Sequence, residues 1–242
     1  MIRAVIFDLD GVVVDSEPLY QEAEERLFRE EGITIPLEDW KYFRGVSEQR
    51  FYELARERYH VSLPVDELRS RGREYIFTLF KERLKFMPGF VDLHRDLEGR
   101  VLLGLVTSSP GEIYSWVERR LGLERCFQEV IYGGMTTHSK PHPEPYEMMM
   151  RRLAVMPWET VVVEDSIPGL ISAWAAGAWT IALTGSVPEE DMPPAHAIVH
   201  SLADLSLQSI LDLGGSPLAT RPGVAAAGEA AKPPVGRRMP FR

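Results

Sequence analysis

Asp8 and Asp10 stand one residue apart, just ahead of Gly11, in a chain that begins MIRAVIFDLDG. On an extended segment that spacing puts both carboxylates on one side. Further along, Thr107-Ser108-Ser109 offers hydroxyls, Ser139-Lys140-Pro141 a lysine, and Glu164-Asp165 a second acidic pair. Clustered carboxylates repel one another unless a cation sits among them. An oxygen-only donor set suits a hard divalent ion, and magnesium fits.

The elements that must position these groups are legible around them. Short apolar, β-branched runs recur at Ala4–Phe7, Val101–Val106, Val130–Tyr132, Val161–Val163 and Trp179–Leu183, as expected of strands buried on both faces. Helical patterns at Glu112–Leu121, Pro145–Leu153 and Leu170–Ala176 alternate with the later runs. Strand, helix, strand in repetition predicts an α/β fold with a doubly wound, Rossmann-like parallel sheet. Such sheets bind ligands at the carboxyl ends of their strands, which is where the two aspartates, the hydroxyls and the second acidic pair fall. Taken singly, each has a plain structural explanation: Asp10-Gly11 as a turn pair, Asp165 or Ser166 as a helix cap, Thr107 as a strand-end hydroxyl, Lys140 as a solvated loop residue. Their joint order at strand ends argues for a site.

Roughly ninety residues separate the first two strands, far more than a crossover needs. Helical patterns at Glu17–Glu31, Ser47–Tyr59 and about Val65–Leu84, punctuated by Gly32 and Pro64, predict an inserted α-helical cap over residues 15–87. The catalytic core would then comprise residues 1–14 and 88–213. The stretch from Gly214 to Arg242 holds 5 Gly, 5 Pro and 6 Ala, too little apolar bulk to offset ordering, and reads as a disordered tail.

Composition narrows the partners. Lys and Arg total 27 against 36 Asp and Glu, a net charge of −9, which argues against nucleic acid. Cys126 is the sole cysteine, so no internal disulfide forms and a cytoplasmic setting is expected. Residues 166–188 carry no charge, but their Gly and Pro residues divide them into a helix and a strand rather than a membrane span. The expectation is a monomer or weak homodimer acting on a small molecule.

FDLDGVVVDSEP (Phe7–Pro18), VTSSP (Val106–Pro110), SKPHPEPY (Ser139–Tyr146) and VVVEDSIPGL (Val161–Leu170) together resemble the haloacid dehalogenase superfamily, in its phosphatase and phosphomutase branch with a helical cap. The resemblance implies that Asp8 is a nucleophile forming an aspartyl-phosphate and that Asp10 is the general acid and base. It implies that Asp8, the Asp10 carbonyl and Asp165 hold Mg2+, with Glu164 in or next to the shell. Thr107 and Ser108 would contact the transferring phosphoryl group and Lys140 would neutralise charge. Asp10 speaks against true dehalogenase activity, since that branch lacks this aspartate. A small phosphorylated metabolite, a sugar phosphate or phosphoglycolate-like monoester, is the implied substrate, with a β-phosphoglucomutase-like phosphomutase as the alternative.

Phe43-Arg44-Gly45-Val46-Ser47 resembles the cap's specificity loop, and Arg44 could reach a substrate anion or simply be a surface arginine. Compared with β-phosphoglucomutases, Tyr20 replaces a histidine, Glu48 a basic residue and Pro110 a lysine. Losing cations there counts against a bisphosphate intermediate and favours a phosphatase. Other features read as structural. Pro141 and Pro143 forbid a helix that would aim His138 and His142 at one metal; Met148–Met150 pack a helix; Trp158, Trp174 and Trp179 line core or crevice.

Overall fold

A computed structural model describes residues 1–43, 48–185 and 187–214. Arg44 to Ser47 and the tail beyond Gly214, both subjects of expectations above, lie outside the described residues.

Six strands form one sheet in the order β3-β2-β1-β4-β5-β6, every neighbouring pair parallel. They are β1 (Ala4–Phe7), β2 (Leu102–Pro110), β3 (Glu129–Gly133), β4 (Thr160–Glu164), β5 (Trp179–Leu183) and β6 (Ala197–Val199). β1 lies between β2 and β4, and apolar clusters with helices cover both faces of the sheet there, which explains why its four residues are apolar without alternation. Val5 and Phe7 enter one apolar cluster, and Ala4 and Ile6 the other. The first cluster is closed by α4 (Phe90–Leu97), α5 (Gly111–Leu121) and α8 (Leu207–Leu213) through Leu93, Val117 and Ile210. The second is closed by α6 (Glu144–Arg152) and α7 (Ile167–Ala175) through Tyr146, Met149 and Ala173.

The insert between β1 and β2 carries α1 (Glu17–Glu30), α2 (Glu48–Tyr59) and α3 (Val65–Arg83). Leu27, Phe28, Phe51, Tyr52 and Leu68 build an apolar cluster of its own. The near ends of α1 and α3 instead pack on the sheet-side core through Leu19, Ala23, Ile76 and Phe80, and Phe77 stacks on Trp116 of α5. The chain leaves and re-enters the sheet layer through adjacent segments. Asp15 N–H donates to Lys85 O at 3.1 Å and Met87 N–H to Val13 O at 2.9 Å.

Three elements escaped the sequence reading. α4 and α8 are only two turns long, and β6 is a three-residue edge strand whose Ile198 is exposed, so none shows enough of a period. The tryptophans need correction. Trp179 is buried, but Trp158, in the turn before β4, and Trp174, in the last turn of α7, are about half exposed, because neither joins the apolar clusters against the sheet. Among the described residues no helix is long and apolar enough to cross a membrane.

Candidate active site

The switch in strand order falls between β1 and β4, and the carboxyl ends of these two strands carry Asp8 and Glu164. Asp8 N–H donates to Val163 O at 3.0 Å, so the parallel ladder itself fixes the Asp8 backbone. Gly11 follows with a φ of 77°, a left-handed turn that glycine adopts without strain and that carries the chain away from the sheet.

Lys140 is the centre of the constellation. Its side chain is buried, and Nζ donates to Asp8 Oδ1 at 2.5 Å, Glu164 Oε1 at 2.7 Å and Val106 O at 3.0 Å. Three acceptors match the three donors of an ammonium group. Burial alone would make Lys140 easier to deprotonate, but the Asp8 and Glu164 charges outweigh it and hold the group protonated far above its ordinary range. Asp8 shows the opposite balance. Burial pushes its carboxyl well up, Lys140 pulls it down, and Glu164 and Asp10 push it up again. Among the described residues, Asp8 Oδ2 makes no hydrogen bond.

Asp10 is held by hydroxyls. Ser16 Oγ donates to Oδ1 at 2.7 Å, Ser109 Oγ to Oδ2 at 2.7 Å, and Thr107 Oγ1 reaches Oδ2 at 3.4 Å. Burial raises its pKa, and the bonds from Ser109, Ser16 and Thr107 restrain the rise. Its carboxylate is thus held by hydroxyls and not by Lys140, although the Lys140 charge also lowers its pKa. Thr107 Oγ1 also accepts the Ser109 N–H at 2.9 Å, and Ser108 lines the same cavity.

Glu164 is fully buried and saturated. Oε1 accepts from Lys140 Nζ and from Tyr146 Oη, each at 2.7 Å. Oε2 accepts the Asp165 and Ser166 N–H groups at 3.1 Å each and Ser166 Oγ at 2.9 Å. Ser166 in turn caps α7 by accepting the Gly169 N–H at 3.1 Å, with Pro168 in the first turn. Five donors exceed the roughly four lone-pair positions of one carboxylate. Asp8, Glu164 and Asp165 each place an oxygen within 4.8 Å of the others. Of the three, Asp8 and Asp165 face the cavity and could hold a hard cation, and the donor set is all oxygen.

Of the sequence candidates, Asp8, Asp10, Thr107, Ser108, Lys140 and Asp165 line one cavity of about 150 Å³. Glu164 lies beneath it. Ser16, Ser109 and Tyr146 were missed as individual contributors although they lie inside the quoted motifs; Tyr146 looks like one more apolar position of its helix. Glu48 requires a revision. It does not present an isolated negative charge, because Arg73 of α3 forks onto it at 2.7 and 2.6 Å.

The histidine pair also requires one. The prolines do exclude a helix, yet the loop stacks His138 and His142 with ring centroids 4.3 Å apart, and Glu144 joins them. Glu144 is committed to the loop. It accepts the N–H groups of Thr137 and His138 at 2.9 and 2.8 Å and pairs with His138 Nδ1 at 2.9 Å. It thereby holds the segment preceding α6, which carries Lys140.

The haloacid dehalogenase-like hydrolase family model matches residues 5–183, from the first strand through the fifth. The chain belongs to this family. It is 32% identical to the phosphorylated carbohydrates phosphatase of Thermotoga maritima, over 84% of this chain and 88% of that one. It is 29% identical to hexitol phosphatase B of Escherichia coli K12, over 88% and 94%. The β-phosphoglucomutase structure from Clostridium difficile superimposes with a TM-score of 0.76 at 25% identity, covering 89% of this chain and 98% of that one.

Proposed function

We propose that this hydrolase of phosphate monoesters is a magnesium-dependent phosphatase acting on a small phosphorylated metabolite through an aspartyl-phosphate on Asp8. One observation carries the reading: Asp8 is buried with Oδ1 bound by Lys140, while among the described residues Oδ2 is unengaged in a cavity shared with Asp10. In this reading Oδ2 attacks phosphorus and the P–O bond to the leaving group breaks. Asp10 delivers the proton to the departing oxygen, and then takes one from the water that hydrolyses the acyl phosphate. Burial of Asp10 favours the protonated form that the first step needs. Lys140 offsets charge on Asp8 and on the phosphoryl oxygens, and Thr107 and Ser108 stand where those oxygens would be bound. Asp8, the Asp10 carbonyl and Asp165 would hold Mg2+, which supplies charge neutralisation to the phosphoryl group. Glu164, its oxygens filled, acts by fixing Lys140. Residues 15–87 serve as the cap and residues 1–14 and 88–213 as the catalytic core.

The relatives named for phosphorylated carbohydrates and hexitols support a phosphatase for a polyol or sugar monoester. The phosphomutase alternative draws on the likeness to β-phosphoglucomutase. Against it, Arg73, the one cation of the insert lining the cavity among the described residues, is already bound to Glu48 and Glu112. The test is hydrolysis of p-nitrophenyl phosphate with Mg2+ or with chelator. Borohydride trapping during turnover should convert Asp8 to homoserine. Magnesium-independent turnover, or trapping elsewhere, would defeat the reading. β-Glucose 1-phosphate, with and without the 1,6-bisphosphate, separates the two activities: bisphosphate-stimulated glucose 6-phosphate with little free phosphate would establish the mutase.

A further inference from the structure

The cavity above Asp8 and Asp10 does not end at the reacting groups. It runs on into the insert, between α1 on one side and α2 and α3 on the other. Glu17, Glu24 and Glu48 line this far part, and Arg73 is the one cation among the described residues there. Arg73 is already engaged by two carboxylates. Nε and Nη2 fork onto Glu48, and Nη1 pairs with Glu112 of α5 at 2.5 Å. Glu48 is thereby neutralised from within the protein.

Glu24 is not. Among the described residues it makes no hydrogen bond and no ion pair, although burial and the nearby Glu17 and Glu48 charges all press its carboxyl towards the neutral form. Glu17 and Glu24 are seven residues apart on α1, two turns, and share a helix face. Glu24 is partly buried in the cavity wall, and its charged form has no partner there until a cation arrives. One turn earlier on α1 a second polar group also lacks a good partner. Tyr20 Oη is sealed from solvent and finds no well-formed hydrogen bond, the neighbouring Ser109 hydroxyl being turned to Asp10. Trp40, Phe51 and Tyr52 line the same space, and aromatic walls beside a carboxylate suit a cation.

We propose that the substrate is a phosphate monoester whose other end carries an ammonium group, and that Glu24 is the residue that selects it. This rests on the phosphatase reading above. An ammonium would donate to Glu24, complete its charge and lie against aromatic side chains. A second phosphate would meet the acidic lining of Glu17, Glu24 and Glu48 with Arg73 already engaged, and a neutral hydroxyl would bring no charge to draw Glu24 out of its neutral form. The partition is between two ends of one cavity: an anion-binding end at Lys140 and a cation-binding end at Glu24.

The test compares matched monoesters differing in one group, on the full chain with Mg2+. The pairs are O-phosphoethanolamine against 2-hydroxyethyl phosphate, and glucosamine 6-phosphate against glucose 6-phosphate. kcat/KM for at least one amine should exceed that for its alcohol by about 10- to 100-fold, the range of a hydrogen bond to a charged group. Glu24→Gln should reduce that ratio to near unity. A wild-type enzyme that hydrolyses p-nitrophenyl phosphate and the alcohols yet shows no amine preference overturns this inference and leaves the phosphatase reading intact. Turnover of no monoester at all overturns the phosphatase reading itself. A preference that survives in Glu24→Gln removes Glu24 from the role. If the variant does not fold, competitive inhibition of the wild-type enzyme by free glucosamine but not glucose supports the cation-binding end; equal inhibition by both overturns it.

Discussion

Gly169 lies so close to Glu164 that a Cβ built on it would coincide with the Glu164 carboxylate. The first turn of α7 is thus in direct contact with the group that aims Lys140, and only a residue without a side chain allows it. At an unconstrained helical position Gly→Ala stabilises by about 1 kcal/mol. Here the sign should reverse. Gly169→Ala is expected to lower the thermal midpoint and to cut kcat by on the order of 10-fold or more, as expected when a positioning group is displaced. Unchanged kcat would show that Glu164 need not stay where it is.

Asp8→Asn should abolish turnover while leaving the fold intact. The carboxylate is buried and its charge is disfavoured there, so the amide costs little stability, and Lys140 keeps Glu164 as a partner. Loss of a nucleophile of this kind costs on the order of 10³-fold or more in kcat. A folded variant with wild-type kcat would eliminate Asp8 as the attacking group.

Tyr146→Phe separates two partners of one oxygen. Tyr146 Oη and Lys140 Nζ both donate to Glu164 Oε1, so removing the hydroxyl leaves the ion pair but takes a bond from a buried charge. The expected loss is about 1.5–3 kcal/mol of stability by denaturant titration, with kcat reduced less than in Gly169→Ala. A stability change near zero would mean that the hydroxyl is not needed to hold Glu164.

Glu144 gives the pH dependence. The Thr137 N–H, then the His138 ring, hold its carboxyl down at about 2, against an ordinary value of 4.5. A depressed carboxyl stabilises the fold fully above its unfolded value and loses that contribution as pH falls through its folded value. Glu144→Gln should therefore melt below the wild type at pH 7, and the gap should narrow from about pH 4.5 downward. A gap independent of pH would show that the carboxylate charge contributes nothing to the loop.

The sheet was legible because its central strands are buried on both faces, which leaves unbroken β-branched runs such as Val161–Val163. The groups lining the candidate site were legible because they sit at strand ends within short motifs. What stayed hidden depends on contacts across long separations. Arg73 neutralises Glu48 from 25 residues away, and Ser109 holds Asp10 from 99 residues away; no local period announces either. Glu24 looks like one more solvated acid on a charged helix until the fold closes α2 and α3 over it. Glu48→Arg, attractive from sequence as a way to admit bisphosphates, would instead set two guanidinium groups against each other.

The paired entry and exit of the insert, with Val13 to Asp15 alongside Lys85 to Met87, make the helical region exchangeable. A graft spliced at those two points needs no change in strand order or in the residues that hold Lys140. It must only supply its own counterparts of Leu19, Ala23, Ile76 and Phe80 to cover the core beneath. Chimaeras with related hydrolases built at this seam should keep the bond-breaking apparatus of this chain and acquire the selectivity of the donor.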